Sequence, residues 1–208
     1  MGRLVDRGCH PRDVDEGERH RLTSSLDQAL AWHGGQRRKG TAVPYVSHLL
    51  QVAGLVLEHG GTVDQAVAAM LHDAVEDTEA TVEDVVAEFG PDVAAIVADC
   101  TDTLPGDSPG HKAPWRARKE RFLDRLGGLP PASALVVACD KRHNLAAMVS
   151  DVRREGPDAI SPPRFSASPA DQLWYYGEAV DRLRGTIPGR LSGELDALVA
   201  ELRRSCRR

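Results

Sequence analysis

Apolar residues recur along this chain at intervals of three and four and nowhere in sustained alternation, so the pattern predicts helices and no strands. Glycine and proline fall mostly between the periodic segments, as loop punctuation should. A first helix is expected over about residues 23–33, stopped by Gly34-Gly35. The next opens at Pro44, a residue favoured in the first helical turn, and runs to about residue 59, where Gly60-Gly61 stops it. Leu49, Val52, Ala53, Val56 and Leu57 make its buried stripe, with His48 beside it. A core helix follows from Val63, and Thr62 and Gln65 have the spacing of a capping box. Thr81 and Asp84 resemble another start signal, for a helix ending at Phe89-Gly90. Further helices are expected over about residues 91–102, 114–126, 131–154, 168–184 and 191–205. Residues 1–20 mix charges without period and read as a flexible tail. Residues 104–113 read as a mobile loop, and residues 156–168, rich in Pro and Ser, as unstructured.

The expectation is therefore an all-α single domain of about eight to ten helices. Residues 1–20 form a tail, residues 21–186 the domain, and residues 187–208 a C-terminal helix packed on it or extending from it. A chain of 208 residues is long enough for a full core, and with only 4% aromatics that core must be built from Leu, Val and Ala. There is no internal repeat.

Chemistry enters where the apolar run Ala66 to Leu71 ends in His72-Asp73-Ala74-Val75-Glu76-Asp77-Thr78. Packing gives no reason for one histidine and three carboxylates there. On a helix, His72 and Glu76 share a face, as do Asp73 and Asp77, while His72 and Asp73 splay by about 100°. Taken alone, this is as readily a solvated acidic helix end. Two other segments change the weighting. His48 lies beside an apolar stripe, and Asp140 follows the apolar run Ala134 to Cys139, where an aspartate is costly unless paired or bound to metal. Two histidines and two aspartates from three helices make an N₂O₂ set, which suits Mn²⁺, Fe²⁺ or Zn²⁺ better than an all-oxygen calcium site.

The order His48, His72-Asp73, Asp140 resembles the HD superfamily of metal-dependent phosphohydrolases. Gln36-Arg37-Arg38-Lys39, Pro44-Tyr45-x-x-His48, Leu71-His72-Asp73-x-Val75-Glu76-Asp77-Thr78, Phe89-Gly90 and Asp140-Lys141-x-x-Asn144 resemble, more narrowly, the hydrolase domain of RelA/SpoT proteins. The likeness is greatest to their stand-alone relatives, the small alarmone hydrolases, and runs over about residues 22–183. It implies an HD-domain helical bundle that removes the 3′-pyrophosphate from (p)ppGpp with Mn²⁺. It also implies His48, His72, Asp73 and Asp140 as metal ligands, and Glu76 and Asp77 as the catalytic carboxylates. Arg38 and Asn144 would contact the nucleotide. Arg142 stands where the family usually has an apolar residue.

A formal charge of −5 argues against general nucleic-acid binding, so an anionic small-molecule substrate needs locally basic surface. Arg37-Arg38-Lys39 offer one cluster; Lys112, Arg116, Arg118, Lys119 and Arg121 offer another. Singly, each reads better as solvated surface; as a group they suit phosphate steering. Trp174 reads as core and Tyr176 as a ligand-side candidate. The four cysteines lack metal or disulfide spacing and fit a reducing cytoplasm. No apolar run reaches the ~18 residues of a membrane span, and the N-terminus lacks a signal-peptide core. Other readings of the same pattern are a phosphohydrolase acting on (p)ppApp, NADPH or a nucleoside monophosphate, a non-catalytic alarmone-binding regulator, and a structural helical module. The oligomeric state is left open.

Overall fold

Residues Ala66 to Leu71 have no polar face, so their helix must be enclosed on every side, and the fold is arranged around it. The computed structural model describes residues 14–102 and 113–207. In chain order the helices are α1 Glu16–His33, α2 Val46–Glu58, α3 Val63–Leu71, α4 Ala74–Asp77 and α5 Val82–Phe89. They continue with α6 Pro91–Cys100, α7 Trp115–Leu126, α8 Pro131–Glu155, α9 Pro169–Leu183 and α10 Gly189–Ser205. No strand occurs among the described residues; one isolated antiparallel bridge, Arg37 with Pro44, closes the loop before α2. The all-α expectation holds.

Helix α3 packs against α1, α2, α6 and α8, and Ala66, Val67, Ala68, Ala69 and Leu71 are fully buried. The alanines let neighbouring backbones approach closely, which is how a core poor in aromatics stays dense. Helix α2 buries Leu49, Val52, Ala53 and Val56 at helical spacing, while Leu57, expected in the same stripe, is exposed. Each such Val or Leu contributes ~1.5–3 kcal/mol of burial. Capping boxes start α3 at Thr62 with Gln65 and α5 at Thr81 with Asp84, as the spacing predicts.

Three expectations need correction. Helix α1 begins at Glu16, not near residue 23, because Asp15 and Glu18 form a capping box that the search for apolar period passes over. Residues 16–20 are thus helical rather than tail. Residues 156–168 are structured: Pro157–Ile160 form a 3₁₀ turn, and Ala159, Ile160 and Ala167 are buried. The helix carrying His72 is not continuous, since α3 ends at Leu71 and Asp73 adopts φ −97°, ψ −2° before the single turn of α4. The loop predicted over residues 104–113 lies almost wholly outside the described residues, as do Lys112 and Cys9.

Arg142 finds its partner in the C-terminal helix. Its Nε donates to Glu194 Oε2 at 2.7 Å, and Arg190 joins the same carboxylate from within α10 at 3.1 Å. Leu191, Leu195, Val199 and Leu202 bury the apolar face of α10, which packs on α8 and α9. The half-exposed ion pair adds at most ~1 kcal/mol, so apolar burial holds α10 and Arg142 sets its register. No described helix is long and apolar enough to cross a membrane.

Between α2 and α3 the chain turns tightly at Gly61. A Cβ there would lie 2.5 Å from Val56 Cγ1 and 2.8 Å from Val56 O. Gly61→Ala should destabilise the protein by ~1–3 kcal/mol through overpacking, read as a lowered urea midpoint at unchanged slope.

Candidate active site

Three elements converge at one end of α3. Helix α2 supplies His48, the break between α3 and α4 supplies His72 and Asp73, and the middle of α8 supplies Asp140. The break matters because adjacent side chains on a regular helix diverge by about 100°. Here His72 Nε2 and Asp73 Oδ2 are 3.1 Å apart. Asp73 is the N-cap residue of α4 but makes no side-chain cap bond, so its carboxylate turns to the site instead.

His48 Nε2 lies 3.2 Å from Asp140 Oδ1 and 3.5 Å from Asp73 Oδ2. His72 Nε2 lies 3.6 Å from Asp140 Oδ1. Neither Nε2 makes a hydrogen bond although both are buried, an arrangement that costs free energy unless something else takes the lone pairs. Ligand atoms of His48, His72 and Asp140 all fall within 4.8 Å of one another. Two imidazoles and hard carboxylate oxygens, with unsatisfied nitrogens aimed inward, fit a divalent transition-metal ion.

The ligand-type residues are themselves held. Asp140 accepts from Lys141 Nζ at 2.7 Å and from Asn144 Nδ2 at 2.6 Å. Asp73 Oδ2 accepts from the Tyr45 hydroxyl at 2.5 Å. His72 Nδ1 donates to the Ala69 carbonyl at 2.7 Å, and His48 Nδ1 meets His143 Nδ1 at 2.7 Å. Burial opposes the charge on Asp140, but Lys141 and then the two imidazoles overcome it and hold its carboxyl well below the usual range. Burial likewise opposes a charged His72, yet Asp73 and Asp140 raise its pKa well above the ordinary value. His143 moves the other way: burial, His48 and Arg38 push it down to about 4.

The carboxylate side of the site borders a cavity of about 590 Å³, while His48 and His72 are buried and do not line it. Glu76, Asp77, Arg38, Lys39, Asn144, Arg118, Lys119 and Tyr176 all line it, together with Asp73 and Asp140. Asp77 Oδ2 accepts from Gln36 Nε2 at 3.1 Å, and Gln36 Oε1 is 2.6 Å from His33 Nδ1. Arg38 donates to Asn144 Oδ1 at 2.9 Å, so the Asn144 amide is engaged with Asp140 at one end and Arg38 at the other. Lys39 Nζ sits 5.9 Å from the centre of the Phe165 ring. Tyr176 is 8% exposed, and Trp174 lies partly buried against the core as expected, its face covered by Arg116.

The second basic cluster divides. Arg118 is buried, bonded to Asp102, and 3.5 Å from Glu76 Oε1. Lys119 bonds the other oxygen of Asp102. Arg116 turns outward to Glu120 at 2.8 Å, and Arg121 is exposed.

His143, Asp102, Gln172 and Arg164 line the cavity without a motif in the sequence to mark them, and Tyr45, Gln36 and Lys141 stand in it only as motif letters. His143 was findable, being three residues from Asp140 and hence on its face of α8. Arg164 had no sequence signal. It reaches from the segment after α8 to the Lys39 carbonyl at 3.1 Å and to Asp151 at 2.5 Å. Gly40, at φ +69°, makes room for it: a Cβ there would lie 2.6 Å from Arg164 Cδ.

The HD-domain family matches residues 25–155. A Xenopus tropicalis guanosine-3′,5′-bis(diphosphate) 3′-pyrophosphohydrolase, MESH1, is 35% identical over 180 residues, covering 84% of this chain and 90% of its own. The chain belongs to the HD-domain family. The Homo sapiens MESH1 is 32% identical, covering 81% of this chain and 88% of its own. Among solved structures, a metazoan ortholog of SpoT that hydrolyses ppGpp superposes with a TM-score of 0.72 at 28% identity. That match covers 89% of this HD-domain chain and 96% of the other. A Listeria monocytogenes protein superposes at 0.64, also at 28% identity, covering 78% and 99%.

Two expectations follow. A divalent ion should bind at one per chain, and because an imidazole must be neutral to donate to a cation, affinity should fall as pH drops. The loss should set in around histidine's usual ~6.5; calorimetric titrations from pH 8.5 to 5.5 measure it. The second concerns Asp102. Burial works against its charge, but Lys119 and Arg118 hold its pKa below the ordinary value. Its contribution is present above ~3.9 and lost as pH falls through the lower folded value. Asp102→Ala should cost ~1.5–3 kcal/mol near neutrality by removing the charged hydrogen-bond acceptor that Arg118 and Lys119 share, with the gap to wild type closing in acid; urea unfolding at pH 7 and pH 3 checks both.

Proposed function

We infer that the protein hydrolyses the 3′-pyrophosphate of guanosine tetra- and pentaphosphate, giving GDP or GTP and pyrophosphate, in a Mn²⁺-dependent reaction. One observation carries the reading: two buried, unpartnered imidazole nitrogens lie against two carboxylates, Asp73 and Asp140, that line a cavity with Arg38, Lys39, Arg118 and Lys119. Relatives that match most of the chain are named for this activity.

His48, His72, Asp73 and Asp140 would hold the cation, which when bound would supply Lewis acidity toward the phosphoryl group and water. Asp77 and Glu76 orient the attacking water and accept its proton, Asp77 as the principal base. Gln36, steadied by His33, keeps the Asp77 carboxylate in place. Arg118 and Lys119 present positive charge to the phosphates, and their common bond to Asp102 orders them beforehand, which lowers the entropy cost of binding. Arg38, Lys39 and Tyr176 contact the nucleoside part. Asn144 serves it through Arg38 while fixing Asp140. The catalytic unit runs from α1 to α9, with α10 packed on it. A cytoplasmic setting suits Cys100, Cys139 and Cys206, none in a disulfide.

The test is a substrate panel with Mn²⁺ and chromatographic product identification. The guanosine compounds should yield pyrophosphate faster than (p)ppApp, NADPH or nucleoside monophosphates react. Phosphate release from NADPH, with ppGpp left intact, would overturn the substrate while leaving the cation site standing. Asp77→Asn should lose about 10² or more in turnover, the scale of a general base, while keeping its cation affinity. Turnover within a few-fold of wild type would move that role to Glu76.

A further inference from the structure

The contact between the buried His48 and the half-buried His143 has a direction that the pair alone does not choose. With their Nδ1 atoms 2.7 Å apart, a single proton lies between the rings, because two lone pairs or two N–H groups would repel. Either ring can donate. At His72 the choice is forced, since Nδ1 faces the Ala69 carbonyl, which only accepts; Nδ1 carries the proton and a neutral ring keeps its lone pair at Nε2. His48 has no carbonyl in that place. Its Nε2 is buried, unpartnered and turned toward Asp140 and Asp73. Tyr45, the other ring beside His48, gives its hydroxyl to Asp73.

We propose that His143 is a positioning residue: it accepts the Nδ1 proton of His48, fixing His48 in the one neutral tautomer whose Nε2 can bind a cation. This rests on the reading of His48 as a ligand. A cation ligand needs its lone pair at Nε2, so the proton must sit at Nδ1, and His143 is then the acceptor. The same bookkeeping places the proton of neutral His143 on its own Nε2. His143 lines the cavity, and that N–H is a hydrogen-bond donor for an acceptor atom of the ligand, such as a phosphate or sugar oxygen. Helix α8 thereby does in one turn what metal sites commonly spread over several elements: Asp140 as ligand, His143 as the orienting partner of a second ligand, and Asn144 holding the first.

The experiment uses Zn²⁺ as a diamagnetic probe and reads two quantities besides activity. One is Zn²⁺ affinity, from competition with a chromophoric chelator. The other is the tautomer of each imidazole, from ¹⁵N spectra of the zinc-loaded protein. In the unmutated protein His48 should carry its proton on Nδ1 and His143 on Nε2. His143→Leu, which has no acceptor, should bind Zn²⁺ about 10–100-fold more weakly. His143→Gln, which restores a carbonyl acceptor, should return to within a few-fold of wild type. Wild-type affinity in His143→Leu, or a His143 protonated on Nδ1, overturns the proposal. The spectra of the unmutated protein decide even if the leucine variant does not fold. His48→Gln separates the two layers of inference. If it binds Zn²⁺ like wild type, the ligand reading fails and takes the proposal with it. If it loses Zn²⁺ while His143→Leu keeps it, the positioning role alone is wrong.

Discussion

A negative charge buried in the middle of a long helix is the constraint on which this structure turns. Asp140 sits on α8, where isolated ionisation costs several kcal/mol. The charge is tolerated because Lys141 and Asn144 from α8 itself and His48 and His72 from α2 and the end of α3 surround the carboxylate. Helix α2 must lie against α8 to deliver His48, and α3 must end at the level of Asp140 to deliver His72. The alanine-rich packing of α3 permits that approach. Moving any of these helices by one residue would turn its side chain through about 100° and strand the charge.

How far this was legible in the sequence depends on whether a signal was local. The capping boxes of α3 and α5 sit within four residues, and the periodic stripe of α2 within eight, so those elements could be read directly. The start of α1 was equally local but polar, and a reading led by apolar period passed over Asp15 and Glu18. The meeting of His48, His72, Asp73 and Asp140 came from motif order and resemblance, since spacing along the chain says nothing of how three helices cross. The break at Asp73 was not foreseeable, because Leu71 to Asp77 has no glycine or proline to mark it.

Basic residues were the least legible. Arg116, Arg118, Lys119 and Arg121 are neighbours in sequence and similar in chemistry, yet Arg118 is buried on Asp102 while Arg121 faces solvent. What separates them is which face of α7 looks inward and what lies opposite, and Asp102 comes from another element. Arg142 teaches the same lesson. Against the family pattern it looked anomalous, and Glu194, 52 residues away, accounts for it.

The seam between Gly40 and Arg164 carries a consequence for descent. The left-handed backbone at residue 40 already favours glycine, and the arginine packed against it removes the space a side chain would need. That arginine is held by Asp151 and Glu155. Two surface segments more than a hundred positions apart therefore behave as one inherited unit. A lineage that places a side chain at position 40 must first give up the arginine at 164, and a lineage that loses the arginine relaxes only the steric half of the demand on the glycine. Aligned relatives should accordingly show the exchange at 164 preceding the exchange at 40, and the pair should co-vary in that order.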